Sequence, residues 1–285
     1  MEIIEKAPAK INLGLDVLRK REDDGYHDLE MIMASVDLAD KLFIQELETD
    51  DIVVKTSASF LPVDAKNNVY QAVALLKEAC GISKGVFVDI KKNIPVAAGL
   101  GGGSSDAAAT LRGLNQLWEL GLKTEELSQI GFQVGTDVPY CMYGSTAFVS
   151  GRGEKVERLP VMPQCWVVLV KPPFSVSTRK IFAELDMETI SHPNIAALKE
   201  AILNESYEDM IQYMGNAMEV TTIERRPVVQ EIKDRMMRYG ADVAIMSGSG
   251  PTVFGLCQNY SRAKRVYNGL KGFCQEVHIV RTLNC

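Results

Sequence analysis

The stretch PVAAGLGGGSSDAAA at positions 95–109 constrains the fold of this chain more than any other. Its glycines and serines lie between a strand-patterned segment, Val86–Lys91, and a helix expected over Asp106–Leu120. In that helix Leu111, Leu114 and Trp118 share one face and Gly121 supplies the stop. A strand that reaches a helix start through residues this small leaves unpaired backbone N–H groups and the positive helix end pointing into one loop, which is a site for an anion. Glycine lets anionic oxygens come close to the backbone. Ser104 or Ser105 suits the helix cap. No Gly-Lys-Ser or Gly-Lys-Thr follows the glycines and the GxGxxG fingerprint is incomplete, so neither of those phosphate loops is present. A tight turn that permits close helix packing is the other use of such a stretch.

Upstream, Ile11, Leu13, Leu15 and Val17 alternate with Asn12, Gly14 and Asp16, the period of a half-buried strand, which sets Lys10 on the same face as Asn12. The turn REDDGYH follows, with Asp24 and Gly25 as turn residues and Tyr26 and His27 emerging from it. Strands are expected at Met31–Val36, Lys41–Glu46 and Asp51–Thr56. Helices are expected at Asn68–Cys80 and Glu125–Val134, the second ending at Gly135 just before Thr136, Asp137, Val138 and Pro139. Pro160 and Pro163 precede a strand at Trp166–Val170, which places a domain boundary near residue 160 and divides the chain into 1–160 and 161–285. The second part offers helices at Thr178–Leu185, Asn194–Leu203, Tyr207–Met214 and Pro227–Tyr239. A hairpin DVAIM, SGSGPT, VFGLC follows, then a helix at Ser261–Leu270 and a strand at Val277–Arg281. Two domains suit a chain of 285 residues, longer than one compact core usually holds.

Hydrophobic residues at 46% and charged ones at 24% are the balance of a folded chain. The formal charge of −6 and the lack of any long run of like charges exclude a nucleic-acid backbone as partner, while an anionic small molecule remains possible where cations gather locally. MEIIEKAPAK carries acids where a secretory signal carries bases, so a cytoplasmic protein is expected. The longest apolar run, Cys165–Val170, is far short of the roughly 20 residues that span a bilayer, and no membrane partner is expected. Cysteines at 80, 141, 165, 257, 274 and 285 form no Cys-x-x-Cys pair and are read as reduced thiols. His27, His192 and His278 form no His-Glu-x-x-His arrangement, so no protein-held metal is expected.

Taken together, PAKINL at 8–13, the stretch at 95–109 and MSGSGPTVF at 246–254 resemble the three motifs of the GHMP kinase superfamily, which joins galactose, homoserine, mevalonate and phosphomevalonate kinases. Order and spacing agree across nearly the whole chain. Within the superfamily, APAKINL, the DGYH turn and GTDVPY are similar to the 4-diphosphocytidyl-2-C-methyl-D-erythritol kinase family. The resemblance implies an α/β fold of two α+β sandwich domains, with ATP and acceptor in the cleft between them. It implies that ATP, with Mg2+, is held by Pro95, Val96, Ala97, Ala98, Gly99, Leu100, Gly101, Gly102, Gly103, Ser104 and Ser105, with Asn68 at the adenosine. Ala97 and Ala98 stand where some members have glycine. Lys10 and Asp137 are then the catalytic pair. Tyr26 and His27 hold the cytosine of a cytidyl diphosphate substrate and Phe182 covers its other face, with Asn12, Thr178, Gly248, Ser249 and Gly250 also on the substrate side. The implied reaction is phosphorylation of the 2-hydroxyl of 4-diphosphocytidyl-2-C-methyl-D-erythritol.

Each of these residues also has a plain structural use. Lys10 suits a solvated face, Asp137 a turn between Gly135 and Pro139, Tyr26 and Phe182 a core, His27 its own turn and Asn68 a helix start. Two other functions stay open, a GHMP kinase acting on homoserine or a mevalonate derivative, and a non-catalytic sensor of ATP and a metabolite. A requirement for cytidine separates the first from the family above, and the presence of both Lys10 and Asp137 argues against the second.

Overall fold

The computed structural model describes residues 2–283. The chain forms two compact units, each built from separated stretches. The first comprises the chain up to Ala9, Leu38–Val96 and Gly101–Gly144. The second comprises Lys10–Asp37, Ala97–Leu100 and the chain from Ser145 onward. The strands β1 (Glu2–Lys20) and β2 (His27–Leu47) contribute residues to both units. The boundary expected near residue 160 falls inside the second unit, between β6 (Lys155–Arg158) and β7 (Trp166–Lys171).

In the first unit the end of β2 runs antiparallel to β4 (Gly85–Lys91), with Leu42 opposite Ile90 and Ile44 opposite Val88, while β3 (Ile52–Thr56) lies parallel to β4. Four helices, α1 (Asn68–Cys80), α2 (Gly102–Leu117), α3 (Thr124–Val134) and α4 (Val138–Tyr143), pack on one another, and α1 packs on β3. Leu42, Ile44, Val86, Val88 and Ile90 are buried, as are Val69, Val73 and Leu76 of α1 and Ala107, Ala108, Leu111 and Leu114 of α2. The apolar spacing in α1 and α2 is that of a helix with one buried stripe. One continuous β2 replaces the two strands expected at 31–36 and 41–46. Asp40, which interrupts the apolar pattern, is buried because its Oδ1 accepts the backbone N–H groups of Asn93 and Ile94.

Two expectations about the start of α2 are corrected. Helix α2 begins at Gly102, not at Asp106, and its N-cap is Gly101 in the left-handed region, with no side-chain cap. Ser104 and Ser105 therefore sit in the first turn, not at the cap. At α1 the expected start holds: Asn68 is the first helical residue, and Asn67 is the cap, its side chain accepting the N–H of Val69. Glycines are weak helix formers, which is why the pattern pointed four residues too far along.

The second unit holds the first part of β2 beside β1, with β5 (Thr146–Gly151) antiparallel to β2 and β6 paired to β5. The short β8 (Gly215–Asn216) lies parallel to β1, with Leu15 opposite Asn216. A separate antiparallel sheet has the order β11 (Glu276–Arg281), β7, β10 (Val253–Cys257), β9 (Val243–Met246). Val167–Val170 and Val253–Cys257 are buried without interruption, as in strands covered on both faces. Helices α9 (Val228–Tyr239) and α10 (Tyr260–Lys271) pack on this sheet through Val229, Ile232 and Met236, and through Ala263, Val266 and Leu270. The remaining helices are α5 (Thr178–Glu184), α6 (Ile195–Leu203), α7 (Tyr207–Tyr213) and α8 (Glu219–Arg225). No helix among the described residues is long and apolar enough to cross a membrane. The five described cysteines form no disulfide, and Cys285 lies outside the described residues.

Candidate active site

The second unit gathers one group of the expected site residues around β1. Lys10 Nζ donates to Asn12 Oδ1 at 2.7 Å, and both side chains are buried. The alternation that put them on one face was legible in the sequence, but that face is not the solvated one, since β1 is buried on both sides from Ala9 to Val17. A buried ammonium needs polar partners, and the loop between β9 and β10 brings polar backbone toward it. Gly248 has φ of 57°, and a Cβ there would lie 3.4 Å from Lys10 Nζ and 3.6 Å from Asn12 Oδ1. Glycine thus lets the loop backbone stand close to the lysine without left-handed strain.

The same loop is tied to the Ala97–Leu100 segment. Ser247 Oγ donates to the Gly99 carbonyl at 2.9 Å, Thr252 N–H donates to the Ala98 carbonyl at 3.3 Å, and Lys10 N–H donates to the Leu100 carbonyl at 3.0 Å. Gly99 has φ of 76°, and a Cβ there would come within 2.2 Å of the Ser247 carbonyl oxygen, so no other residue fits. Thr178 Oγ1 and Ser249 Oγ are hydrogen-bonded at 2.8 Å. Lys10, Asn12, Gly99, Thr178 and Gly248–Gly250 are therefore brought together within one unit.

Asn216 was not singled out from the sequence, yet it shapes this loop. Its Nδ2 donates to the carbonyls of Met246 and Gly248, each at 2.8 Å, and its Oδ1 accepts the Met218 N–H at 2.9 Å. Thr222 Oγ1 on α8 reaches the Ser249 carbonyl at 3.4 Å. No periodic pattern marks β8 or α8, and Val220 on α8 is exposed, so nothing local announced them.

The DGYH turn lies in the same unit. Tyr26 N–H donates to Asp24 Oδ1 at 3.0 Å, an Asx turn of the kind the sequence suggested. The Tyr26 ring is 51% exposed and lies under the Arg152 guanidinium, 4.3 Å from its centroid, while Arg152 Nη1 also donates to Asp24 Oδ2 at 3.0 Å. His27 is buried and its ring stacks on that of Phe182, with centroids 5.0 Å apart and planes at 26°. The expected arrangement sets Tyr26 and Phe182 on opposite faces of a base. In this structure Phe182 packs directly on His27. Burial, and then the charge of Lys20, lower the His27 pKa, which favours the imidazole with one N–H donor and one lone pair.

The first unit gathers a second group. The first-turn N–H groups of α2, which carry the positive end of the helix, have no side-chain cap at Gly101. Gly102 and Gly103 are helical, and the left-handed backbone of this loop belongs to Gly99 and Gly101, with φ of 76° and 68°, and to Ala97, with φ of 50°. Asn68 stands beside this turn: its Nδ2 lies 3.1 Å from where a Cβ on Gly103 would sit. Asp137 is the N-cap residue of α4, in the turn that follows α3. A Cβ on Gly135 would lie 3.7 Å from Ser104 Oγ, so the turn bearing Asp137 adjoins the start of α2. Among the described residues no three His, Cys, Asp or Glu side chains cluster as metal ligands do.

Family models for the GHMP kinases N terminal domain and the GHMP kinases C terminal region match residues 67–145 and 193–276. Over 283 residues the chain is 64% identical to the 4-diphosphocytidyl-2-C-methyl-D-erythritol kinase of Enterococcus faecalis, covering 99% of this chain and 100% of that protein. The chain belongs to the 4-diphosphocytidyl-2-C-methyl-D-erythritol kinase family of GHMP kinases. The family's enzyme from Listeria innocua is 54% identical over 281 residues, 99% of this chain and 96% of that one. A crystal structure of a 4-(cytidine 5'-diphospho)-2C-methyl-D-erythritol kinase matches with a TM-score of 0.83 at 31% identity and covers 100% of both chains. A homoserine kinase from Cytophaga hutchinsonii, at 21% identity and a TM-score of 0.82 over 99% of this chain and 94% of that one, shares the fold. Family membership makes the chain an ATP-dependent kinase with an alcohol acceptor. It also accounts for the α/β fold expected of its three motifs.

Proposed function

We propose that the enzyme transfers the γ-phosphoryl group of ATP, taken up as its magnesium complex, to the 2-hydroxyl of 4-diphosphocytidyl-2-C-methyl-D-erythritol, a cytoplasmic step in the formation of isoprenoid precursors. The observation that carries this reading is the likeness to enzymes of that name along the full length of the chain. The DGYH turn supports it: His27 stacks on Phe182 and Tyr26 lies in the same unit, an aromatic group suited to a base.

The phosphoryl transfer divides among few groups. The acceptor O–H bond and the β,γ-bridging O–P bond break, a new O–P bond forms, and ADP and a proton leave. Asp137 orients the acceptor hydroxyl and receives its proton, while Lys10 offsets negative charge on the phosphoryl group in flight. An alcohol is a weak acid beside a carboxylic acid, so this proton moves late and the first task of Asp137 is positioning. The uncapped start of α2, with Gly99–Ser105 around it, receives the triphosphate through backbone N–H groups. Asn68 contacts the adenosine. Tyr26, His27 and Phe182 hold the cytosine, stacking for affinity and polar contacts to the ring edge for discrimination.

Calorimetric titration with cytidine diphosphate tests the substrate side directly. Saturable binding, weaker with uridine diphosphate, is the expected result. Equal binding of the two nucleotides, or none of either, would reject the cytidyl assignment and leave an ATP-dependent kinase of another acceptor.

A further inference from the structure

A buried charge cluster lies at the foot of the glycine-rich turn in the first unit. Lys92 follows β4 and inserts its ammonium between Asp40 of β2 and Asp106 of α2, with hydrogen bonds to Asp40 Oδ2 and, at 2.6 Å, to Asp106 Oδ2. The side chains of Lys92, Asp40 and Asp106 are 8%, 0% and 6% exposed. The three groups are not alike in their partners. Asp40 Oδ1 accepts the N–H groups of Asn93 at 2.5 Å and Ile94 at 2.8 Å. Asp106 Oδ1 is buried and accepts no hydrogen bond from any described residue. Two carboxylates against one ammonium leave one negative charge too many for so buried a site, and such a charge is held only at substantial cost.

The cluster also has a place in the chain that matters. Lys92 and Asp106 bracket the loop, and a Cβ on Gly102 would lie 3.4 Å from Lys92 Nζ, so the ammonium sits against the first turn of α2 itself. We propose that Lys92, clamped between Asp40 and Asp106, is a positioning residue for the nucleotide: it fixes the two ends of the glycine-rich loop, and the charge balance of the cluster sets how strongly the α2 N-terminus attracts a triphosphate. The proposal rests on the reading of that turn as the phosphate site.

Both oxygens of Asp40 have hydrogen-bond partners and Asp106 Oδ1 has none among the described residues, so Asp106 is the carboxyl whose ionisation the site opposes. Burial pushes the pKa of Asp106 up, Lys92 opposes the shift, Asp40 adds to it, and the result is about 7. For Lys92, burial acts downward but the charges of Asp106 and Asp40 outweigh it, so it stays an ammonium. The charged groups facing Asp106 are Lys92 and Asp40, and α1 presents the uncharged Asn68 toward the same turn. With Asp106 protonated the cluster is neutral. Ionised, it places a buried negative charge in the helix turn that must receive a polyanion, and opposes the helix dipole there.

Asp106→Asn is isosteric and cannot ionise, which makes it the deciding variant. With acceptor saturating, the KM for MgATP of the wild type should rise about threefold more than that of Asp106→Asn between about pH 6 and 8.5, with kcat within about twofold in both. Comparison of the two proteins cancels the titration of ATP itself. Lys92→Met should raise the KM for MgATP by about tenfold or more, and Lys92→Arg, which keeps the charge, should recover part of it. If Lys92→Met does not fold, Asp106→Asn still decides. Identical pH profiles for wild type and Asp106→Asn, or a change confined to the KM of the acceptor, would overturn the proposal. Gly103→Val, placed to block the phosphates, separates the two failures. If it raises the KM for MgATP while Asp106→Asn does nothing, the cluster has no such role. If neither variant changes it, the turn is not the phosphate site.

Discussion

Replacing Asn216 with leucine keeps roughly the side-chain volume and removes both halves of the amide. Three backbone groups then lose their partners at once, the carbonyls of Met246 and Gly248 and the N–H of Met218, now held at 2.8 to 2.9 Å by a side chain that is 8% exposed. A buried polar group left unpaired costs about 1–3 kcal/mol, and relaxation of the loop toward water recovers part of it, so the expected loss is about 3–5 kcal/mol. That is a large share of the roughly 5–15 kcal/mol that holds a typical domain together. Urea denaturation followed by circular dichroism should show a lower midpoint with an unchanged slope. Asn216→Asp adds a second reading. Its carboxylate still accepts from Met218 but faces two carbonyl oxygens, which raises its pKa in the folded state. The stability it contributes is therefore present at low pH and is lost as pH rises through that raised pKa. Because the loop carries Gly248 against Lys10, activity should fall with either substitution. A loss under about 1 kcal/mol in Asn216→Leu would show that the three bonds are not what holds the loop.

Other outcomes follow from the same structure. Asp137→Asn should keep ATP binding by calorimetry and lose turnover by roughly 10² to 10⁴-fold, and near-normal turnover would remove Asp137 from the catalytic pair. Phe182→Ala and Tyr26→Ala should raise the acceptor KM with little effect on that of ATP, whereas His27→Ala should also narrow the preference for cytidine over uridine, read as a ratio of kcat/KM values. Gly99→Val should fail to form the native loop, since its Cβ would meet the Ser247 carbonyl at 2.2 Å, and a soluble variant with wild-type kinetics would contradict that packing. Asp106 has a folded pKa raised to about 7, above its value in the unfolded chain, so the proton-linked stability it gives is present at low pH and lost as pH rises through 7. Asp106→Asn should therefore gain in melting temperature relative to wild type as pH rises from about 4 to 8, and a constant difference would refute the assigned shift.

What the sequence made legible was local. The Asx turn at Asp24, the strand alternation around Lys10 and the start of α1 at Asn68 are all set by neighbours in the chain, and the pattern carries them. Helix α2 was misplaced by four residues because glycine lowers helix propensity, while packing and an open N-terminus decide where the helix starts. The burial of Lys10 could not be read from alternation, since that pattern cannot tell a solvated face from one covered by a distant loop. Asn216, Arg152 and the Lys92 cluster escaped for a related reason. Each acts through partners far along the chain: Asn216 through Gly248, Arg152 through Asp24, Lys92 through Asp40. No spacing rule connects such residues. The single cut expected near residue 160 follows the order of the chain, whereas each unit draws on separated stretches, Lys10–Asp37 and Ala97–Leu100 going with the second, and Pro160 and Pro163 lie in the irregular segment between β6 and β7.

Phosphotransfer measured by phosphorus NMR with MgATP and a panel of alcohols tests the identity of the acceptor. The panel is 4-diphosphocytidyl-2-C-methyl-D-erythritol, its uridine analogue, homoserine and mevalonate, each compared by kcat/KM. A new phosphomonoester signal is expected on the cytidyl compound, with a weaker reaction for the uridine analogue and none for the other two. Efficient phosphorylation of homoserine or mevalonate, with the cytidyl compound left untouched, would contradict it.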